Sequence, residues 1–221
     1  MKDSTAQELR SGRLVPVVII EDAAMAVDLA DALLDAGLRV IEITFRTAAA
    51  AAAISRIASQ RSRMLVGAGT LLSPANVQRA VDAGARFGLA PGLNQRTVEA
   101  AAVAGLDFIP GVATASEVEL ALENDFKLLK VFPAEAVGGV ALLKAWEGPY
   151  GHTGVQFLPT GGIHAGNVRD YFALQSVAAV GGSWFVDKKL IAAGDWPAIN
   201  RLTREALAWS HSGGLLDTEI K

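Results

Sequence analysis

The sequence contains no cysteine. That excludes disulfides, thiolate metal sites and a cysteine nucleophile. Aromatic residues are sparse, at 6%, while glycine is frequent, with 22 residues, a balance that suits many short elements joined by tight turns. Long hydrophobic runs are also missing. The longest, such as LVPVVII, fall far short of a bilayer span. There is no surplus of positive charge: the formal net charge is -3 and the basic residues form no run. Neither nucleic acid nor an acidic membrane is therefore expected as a partner. The histidines His152, His164 and His211 are scattered without ligand spacing, so no metal site is expected. The opening MKDSTAQELRSGR is polar and does not read as a secretory signal. The expected setting is the cytoplasm.

What the chain does have is rhythm. Its 221 residues, about half of them hydrophobic, can build one sizeable core. Short runs rich in Val, Ile, Leu and Phe alternate with Ala-rich helical segments. The strand candidates are VPVVII, LRVIEIT, MLVGA, RFGLA, DFIPG, KLLKVF, VQFLP and SVAAVGG. Helix starts are signalled by Asp22, by Ser73 with Pro74, and by Ser116 with Glu119 three residues on. About eight strand–helix units without a linker predict a parallel sheet, and in one chain they favour a closed (β/α)8 TIM barrel over an open doubly wound sheet. The expected organisation is a single domain over 1–221: an extra N-terminal helix over 1–13 covering the barrel floor, a barrel core over 14–186, and C-terminal helices over 187–221.

Period two sorts the strands into faces. In RVIEITFR, Ile41, Ile43 and Phe45 share the face that must meet helices, so Glu42, Thr44 and Arg46 point into the barrel. In KLLKVF, Lys130 shares a face with Leu128 and Phe132, while Lys127 opens the strand and reaches solvent. An inward Lys130 would enter the same cavity as Glu42 and Arg46. One reading is a structural ion pair with Glu42. The sharper one is chemical. A lysine in an apolar pocket beside a cation, here Arg46, has a depressed pKa. Its neutral amine attacks a ketone to form a Schiff base, with Glu42 as proton shuttle. The late strands end in PTGGI and VGGSW, and an earlier one in VGAGT with Thr70 at the rim. Paired glycines at adjacent late strand ends suit phosphate binding. These residues point to a phosphorylated carbonyl substrate and, through Arg46, to a carboxylate on it. They do not decide which bond is made or broken.

Taken together, IEITFRT, VGAGTLLSP, PGVATASE, LKVFPAEAVGG, GPY, PTGGI with Asn167, and VGGSW resemble the 2-dehydro-3-deoxy-6-phosphogluconate/4-hydroxy-2-oxoglutarate aldolase family, in order and spacing. The resemblance implies a cytoplasmic, trimeric, cofactor-free class I aldolase of the Entner–Doudoroff pathway on a (β/α)8 barrel. It assigns the Schiff base to Lys130, the proton shuttle to Glu42 and the pyruvate carboxylate to Arg46 and Thr70. Phe132, Thr160, Gly161 and Gly162 line the site, and Gly181, Gly182 and Ser183 hold the phosphate. The sequence departs from the family's habit at Phe45, Ala90 and Glu21. The alternatives are action on the galactonate-derived epimer, metal-dependent aldol cleavage, a phosphosugar isomerase or epimerase, and a noncatalytic phosphosugar-binding barrel.

Overall fold

The computed structural model of the protein describes residues 3–212. Nine strands occur among them: β1 Leu14–Val18, β2 Val40–Thr44, β3 Leu65–Gly69, β4 Phe87–Leu89, β5 Asp107–Ile109, β6 Gly111–Val112, β7 Leu128–Val131, β8 Gln156–Pro159 and β9 Val180–Gly182. Ten α-helices accompany them: α1 Asp3–Gly12, α2 Ala26–Asp35, α3 Ala50–Gln60, α4 Pro74–Asp82, α5 Gln95–Val103, α6 Ala115–Glu123, α7 Gly139–Tyr150, α8 Val168–Phe172, α9 Lys188–Ala193 and α10 Trp196–Ser212. The expected C-terminal helices thus take in α9 and α10, and 213–221 lie outside the described residues. No described helix is long and apolar enough to cross a membrane.

Every strand pairing is parallel. Six strands pair in the order β5-β4-β3-β2-β1-β9 and three in the order β6-β7-β8. The stretch DFIPG, read from the sequence as one strand, is two. Pro110 has no N–H to give the ladder, so pairing stops at Ile109 and resumes at Gly111 with a different neighbour. On the other side, single bridges Phe157↔Val177 and Thr160↔Gly181 bring the chain around β8 against the chain around β9.

Alternation along these strands divides the core in two. Ile41, Ile43, Val66, Ala68, Leu129 and Val131 pack outward with the helices, among them Leu29, Leu33, Ile54 and Ile57. Val40, Leu65, Phe87, Ile109, Leu128 and Leu158 gather in a second cluster on the concave side, joined by Leu9 of α1. A side chain of α1 therefore seals the space beneath the strands, and Thr5 Oγ1 donates to Asp107 Oδ2 at 2.6 Å in the same region. The parity assigned to β2 and β7 from sequence is the observed one.

Two of the three helix starts stand where their signals lie. Asp22 accepts from Ala24 N–H at 2.8 Å at a 3-10 turn leading into α2. Ser73 caps α4, with Pro74 in its first turn. The third is shifted. Thr114, not Ser116, caps α6, and Glu117, not Glu119, closes the capping box by accepting from Thr114 N–H at 2.9 Å. Both Thr114–Glu117 and Ser116–Glu119 have the right spacing. The end of β6 at Val112 puts Thr114 in extended backbone, where a cap must be, and Ser116 already inside the helix. The partner of Glu119 is instead Tyr150, whose hydroxyl donates at 3.1 Å.

Candidate active site

The C-terminal ends of the strands gather the residues singled out in the sequence. Lys130 on β7 and Glu42 on β2 are 88 positions apart, yet Lys130 Nζ donates to Glu42 Oε1 at 3.3 Å. Both are buried, with residue exposures of 4% and 0%. The Lys130 ammonium also lies 5.5 Å from the centre of the Phe132 ring. Placing two charges out of water costs several kcal/mol per ion before their attraction is counted. The second carboxylate oxygen, Glu42 Oε2, is buried and has no hydrogen-bond partner among the described residues. An unsatisfied buried acceptor costs about 1–3 kcal/mol. A buried carboxylate beside a buried lysine at the C-terminal ends of the strands puts a proton acceptor within reach of an amine.

The carboxylate has room because residue 69 is glycine. A Cβ there would lie 1.9 Å from Glu42 Oε1. Gly69→Ala is expected to lower stability by about 1–3 kcal/mol, the cost of overpacking a closed site. The readout is a lower urea midpoint at unchanged slope; a midpoint equal to the parent would show that the carboxylate moves freely. Sequence reading placed the glycines of VGAGT at the rim but did not see this packing role, because nothing local links Gly69 to residue 42.

Next to Gly69, Thr70 takes a left-handed backbone with φ 57°. A β-branched residue adopts that conformation only when its surroundings enforce it. Thr70 Oγ1 accepts from Arg46 Nε at 3.3 Å. Arg46 is exposed at the rim, beyond the end of β2 at Thr44. Lys130 Nζ thus bonds the Glu42 carboxylate, while the bond of Arg46 goes to Thr70. Thr44 itself is buried and donates to Val18 O at 2.8 Å, which ties β2 to β1 just below the site.

The loop after β7 and the loop after β8 lock together. Ala134 N–H donates to Thr160 O at 2.8 Å and Glu135 N–H to Gly161 O at 3.1 Å. Gly161 and Gly162 both have positive φ, 101° and 79°, and a Cβ on Gly162 would lie 2.6 Å from Glu135 Cβ. Only glycine lets the two loops approach this closely. Asn167 holds the second loop from the other side, donating Nδ2–H to Gly162 O at 3.2 Å and accepting from His164 N–H at 2.8 Å. Tyr171 of α8 is fully buried and donates its hydroxyl to Glu135 Oε1. Burial and that carboxylate both push the Tyr171 phenol well above its usual range, so it stays a donor. Glu135 and Tyr171 were not singled out in the sequence, and no local pattern there marks them as partners.

Thr160 is buried and bridges to Gly181. Gly181 and Gly182 close β9, and Ser183 follows them exposed to solvent. The structure thus joins Lys130 with Glu42 by a hydrogen bond and sets Lys130 over the Phe132 ring, joins Arg46 with Thr70, and pairs Thr160 with Gly181, all at one end of the parallel strands. Among the described residues no three His, Asp or Glu side chains are placed to hold a metal ion. The His211 side chain lies outside the described residues.

The chain was compared with known proteins. The aldolase family model described as KDPG and KHG aldolase matches residues 5–202. A KHG/KDPG aldolase of Escherichia coli K12 is 43% identical over 206 residues, covering 93% of this chain and 96% of that protein. A 2-dehydro-3-deoxy-phosphogluconate aldolase of Dickeya dadantii is 44% identical over 94% of this chain and 96% of its own. Among solved structures, KDPG aldolase from Legionella pneumophila superposes with a TM-score of 0.86 at 36% identity, covering 90% of this chain and 96% of that one. In that crystal, pyruvate is captured as a covalent carbinolamine intermediate. With the family model spanning most of the chain and close relatives covered almost end to end, this chain belongs to the KDPG and KHG aldolase family.

Proposed function

We propose that the protein cleaves 2-dehydro-3-deoxy-6-phosphogluconate to pyruvate and glyceraldehyde 3-phosphate through a Schiff base on Lys130, and 4-hydroxy-2-oxoglutarate to pyruvate and glyoxylate by the same steps. The observation that carries the reading is the buried Lys130–Glu42 pair, whose Glu42 Oε2 has no hydrogen-bond partner among the described residues. Curated relatives named for both activities support it.

The Lys130 amine adds to the C2 ketone, and loss of water gives a protonated imine. The imine is an electron sink two bonds from the C3–C4 bond. Glu42 takes the proton of the C4 hydroxyl, the C3–C4 electrons move into the imine, and the aldehyde leaves. The enamine left on Lys130 is protonated at C3, and water then frees pyruvate and the amine. Each cycle needs several proton transfers at one place, which suits a carboxylate within hydrogen-bond reach of the nitrogen. Arg46 and Thr70, already bonded to each other at the rim, hold the carboxylate of the substrate. Phe132, Thr160, Gly161 and Gly162 line the cleft, and Gly181, Gly182 and Ser183 present backbone N–H groups and a hydroxyl to the phosphate.

The test is borohydride reduction in the presence of pyruvate, followed by peptide mass spectrometry. The expected product is a stable adduct on Lys130. An adduct on Lys127 or Lys144, or none, overturns the reading. We further infer one domain in which the two parallel sheets form a closed (β/α)8 barrel. Pro110 is the only residue between β5 and β6, and the bridges from β8 to β9 support closure on the other side. Assembly as a cytoplasmic homotrimer belongs to the same proposal. Light scattering is expected to give about three times the 23.0 kDa chain mass; a monomer mass at assay concentration would remove the trimer.

A further inference from the structure

Three arginines unused by the active site line one cavity at the opposite end of the strands. Arg39 immediately precedes β2, Arg86 immediately precedes β4, and Arg63 stands two residues before β3. Strands β2, β3 and β4 are neighbours in one sheet, so their starting points lie side by side. Glu8 of α1, Ser62 and Leu65 complete the cavity, which is about 360 Å³. The backbone at its edge is fixed by the ladder. Leu65 N–H donates to Arg39 O at 2.7 Å, and Arg86 N–H donates to Val66 O at 2.9 Å.

The three guanidinium groups stand out from the rest of their kind. The chain has thirteen arginines. Eight of them bond a side chain or carbonyl or stack on a ring. Of the five with no such partner among the described residues, three line this cavity, each of them exposed to solvent. Like charges brought together repel, and a concave wall concentrates their potential. Three guanidinium charges less the one carboxylate of Glu8 leave a formal +2 at this place, in a chain whose net charge is -3. A dianion balances that charge, and the guanidinium fork matches phosphate oxygens in pairs.

We propose that this cavity is a second anion site, separate from the active site, that binds a small phosphate-bearing anion carrying two or more negative charges. Its volume falls at the small end of ligand pockets, which suits a metabolite. Ser62 adds a hydroxyl donor at its edge.

Isothermal titration of the full chain with inorganic pyrophosphate at low salt tests this, with citrate as a carboxylate-only arm. The variant Arg39→Gln/Arg63→Gln/Arg86→Gln is expected to lose one binding event, or to weaken it at least about tenfold. Its aldolase kcat/KM is expected to stay within about twofold of the parent, since the cavity lies at the far end of the strands. Glu8→Gln removes the opposing carboxylate and is expected to tighten binding about threefold, while raising NaCl toward about 0.2 M weakens it severalfold. Arg63→Gln alone is expected to weaken binding by about threefold, which keeps the test open if the triple variant folds poorly. Equal pyrophosphate binding by parent and variants, or no binding by the parent, overturns the site. Citrate binding as tightly as pyrophosphate overturns the phosphate assignment.

Discussion

Lys130→Met is expected to abolish cleavage, lowering kcat/KM by roughly a million-fold, the scale seen when a covalent nucleophile is removed. Methionine fills similar space but offers no amine to the ketone. The same change strips the buried Glu42 carboxylate of the only charge bonded to it among the described residues. Breaking a buried pair in this way costs about 3–5 kcal/mol, so the variant is also expected to unfold at lower denaturant. Two further chains separate these effects. Lys130→Arg keeps a charge for Glu42 and is expected to fold, yet it forms no imine. Adding Glu42→Gln to Lys130→Met removes the stranded charge, so stability returns in part while activity does not. Steady-state rates and urea midpoints on the three variants decide the matter. Residual turnover within about a hundredfold of the parent, in a folded Lys130 variant, would place the imine on another lysine.

Glu42→Gln is expected to lower kcat/KM by about 10²–10⁴-fold, the range of a general acid–base group. The amide is the same size, so the space over Gly69 stays filled and Lys130 keeps an oxygen to donate to. What is lost is a site that accepts and returns protons. The diagnostic measurement is exchange of the pyruvate methyl protons into heavy water, followed by NMR. That exchange needs enamine formation but no carbon–carbon cleavage. It is expected to fall with turnover, while borohydride still traps pyruvate on Lys130. Exchange at the parental rate would assign the proton transfer to another group and leave Glu42 as the ion-pair partner only.

Much of this arrangement is legible along the chain. Eight apolar runs between helical segments predict parallel strands, and each run coincides with observed pairing. Glu42 is assigned to the concave face by alternation, because a strand sends successive side chains to opposite sides; for Lys130 alternation gives the neighbours on its face, Leu128 and Phe132, but with both faces apolar it does not say which one is inward. The same rule runs out before Arg46. Alternation holds only while the strand lasts, and β2 ends at Thr44, so Arg46 leaves the row and bonds Thr70 at the rim. The α6 start misleads for a related reason. Two overlapping capping patterns are equally good in sequence, and the end of the preceding strand selects Thr114. Pro110 could be read for what it does, since a missing N–H interrupts any ladder.

The sequence by itself determines the strand–helix order, the faces of β2, which residues share a face in β7, and the motifs by which the family is recognised. These are matters of period and spacing, set by residues near one another in the chain. Only the tertiary structure decides which distant groups meet. It sets Glu42 against Lys130 across 88 positions, buries Glu42 Oε2 with no partner among the described residues, and presses Gly162 onto Glu135. It also turns basic residues that form no run into a cluster, because Arg39, Arg63 and Arg86 each stand just before one of three adjacent strands. Parallel pairing converts separations of more than twenty residues into neighbouring strand spacings of about 5 Å, and no local pattern carries that information.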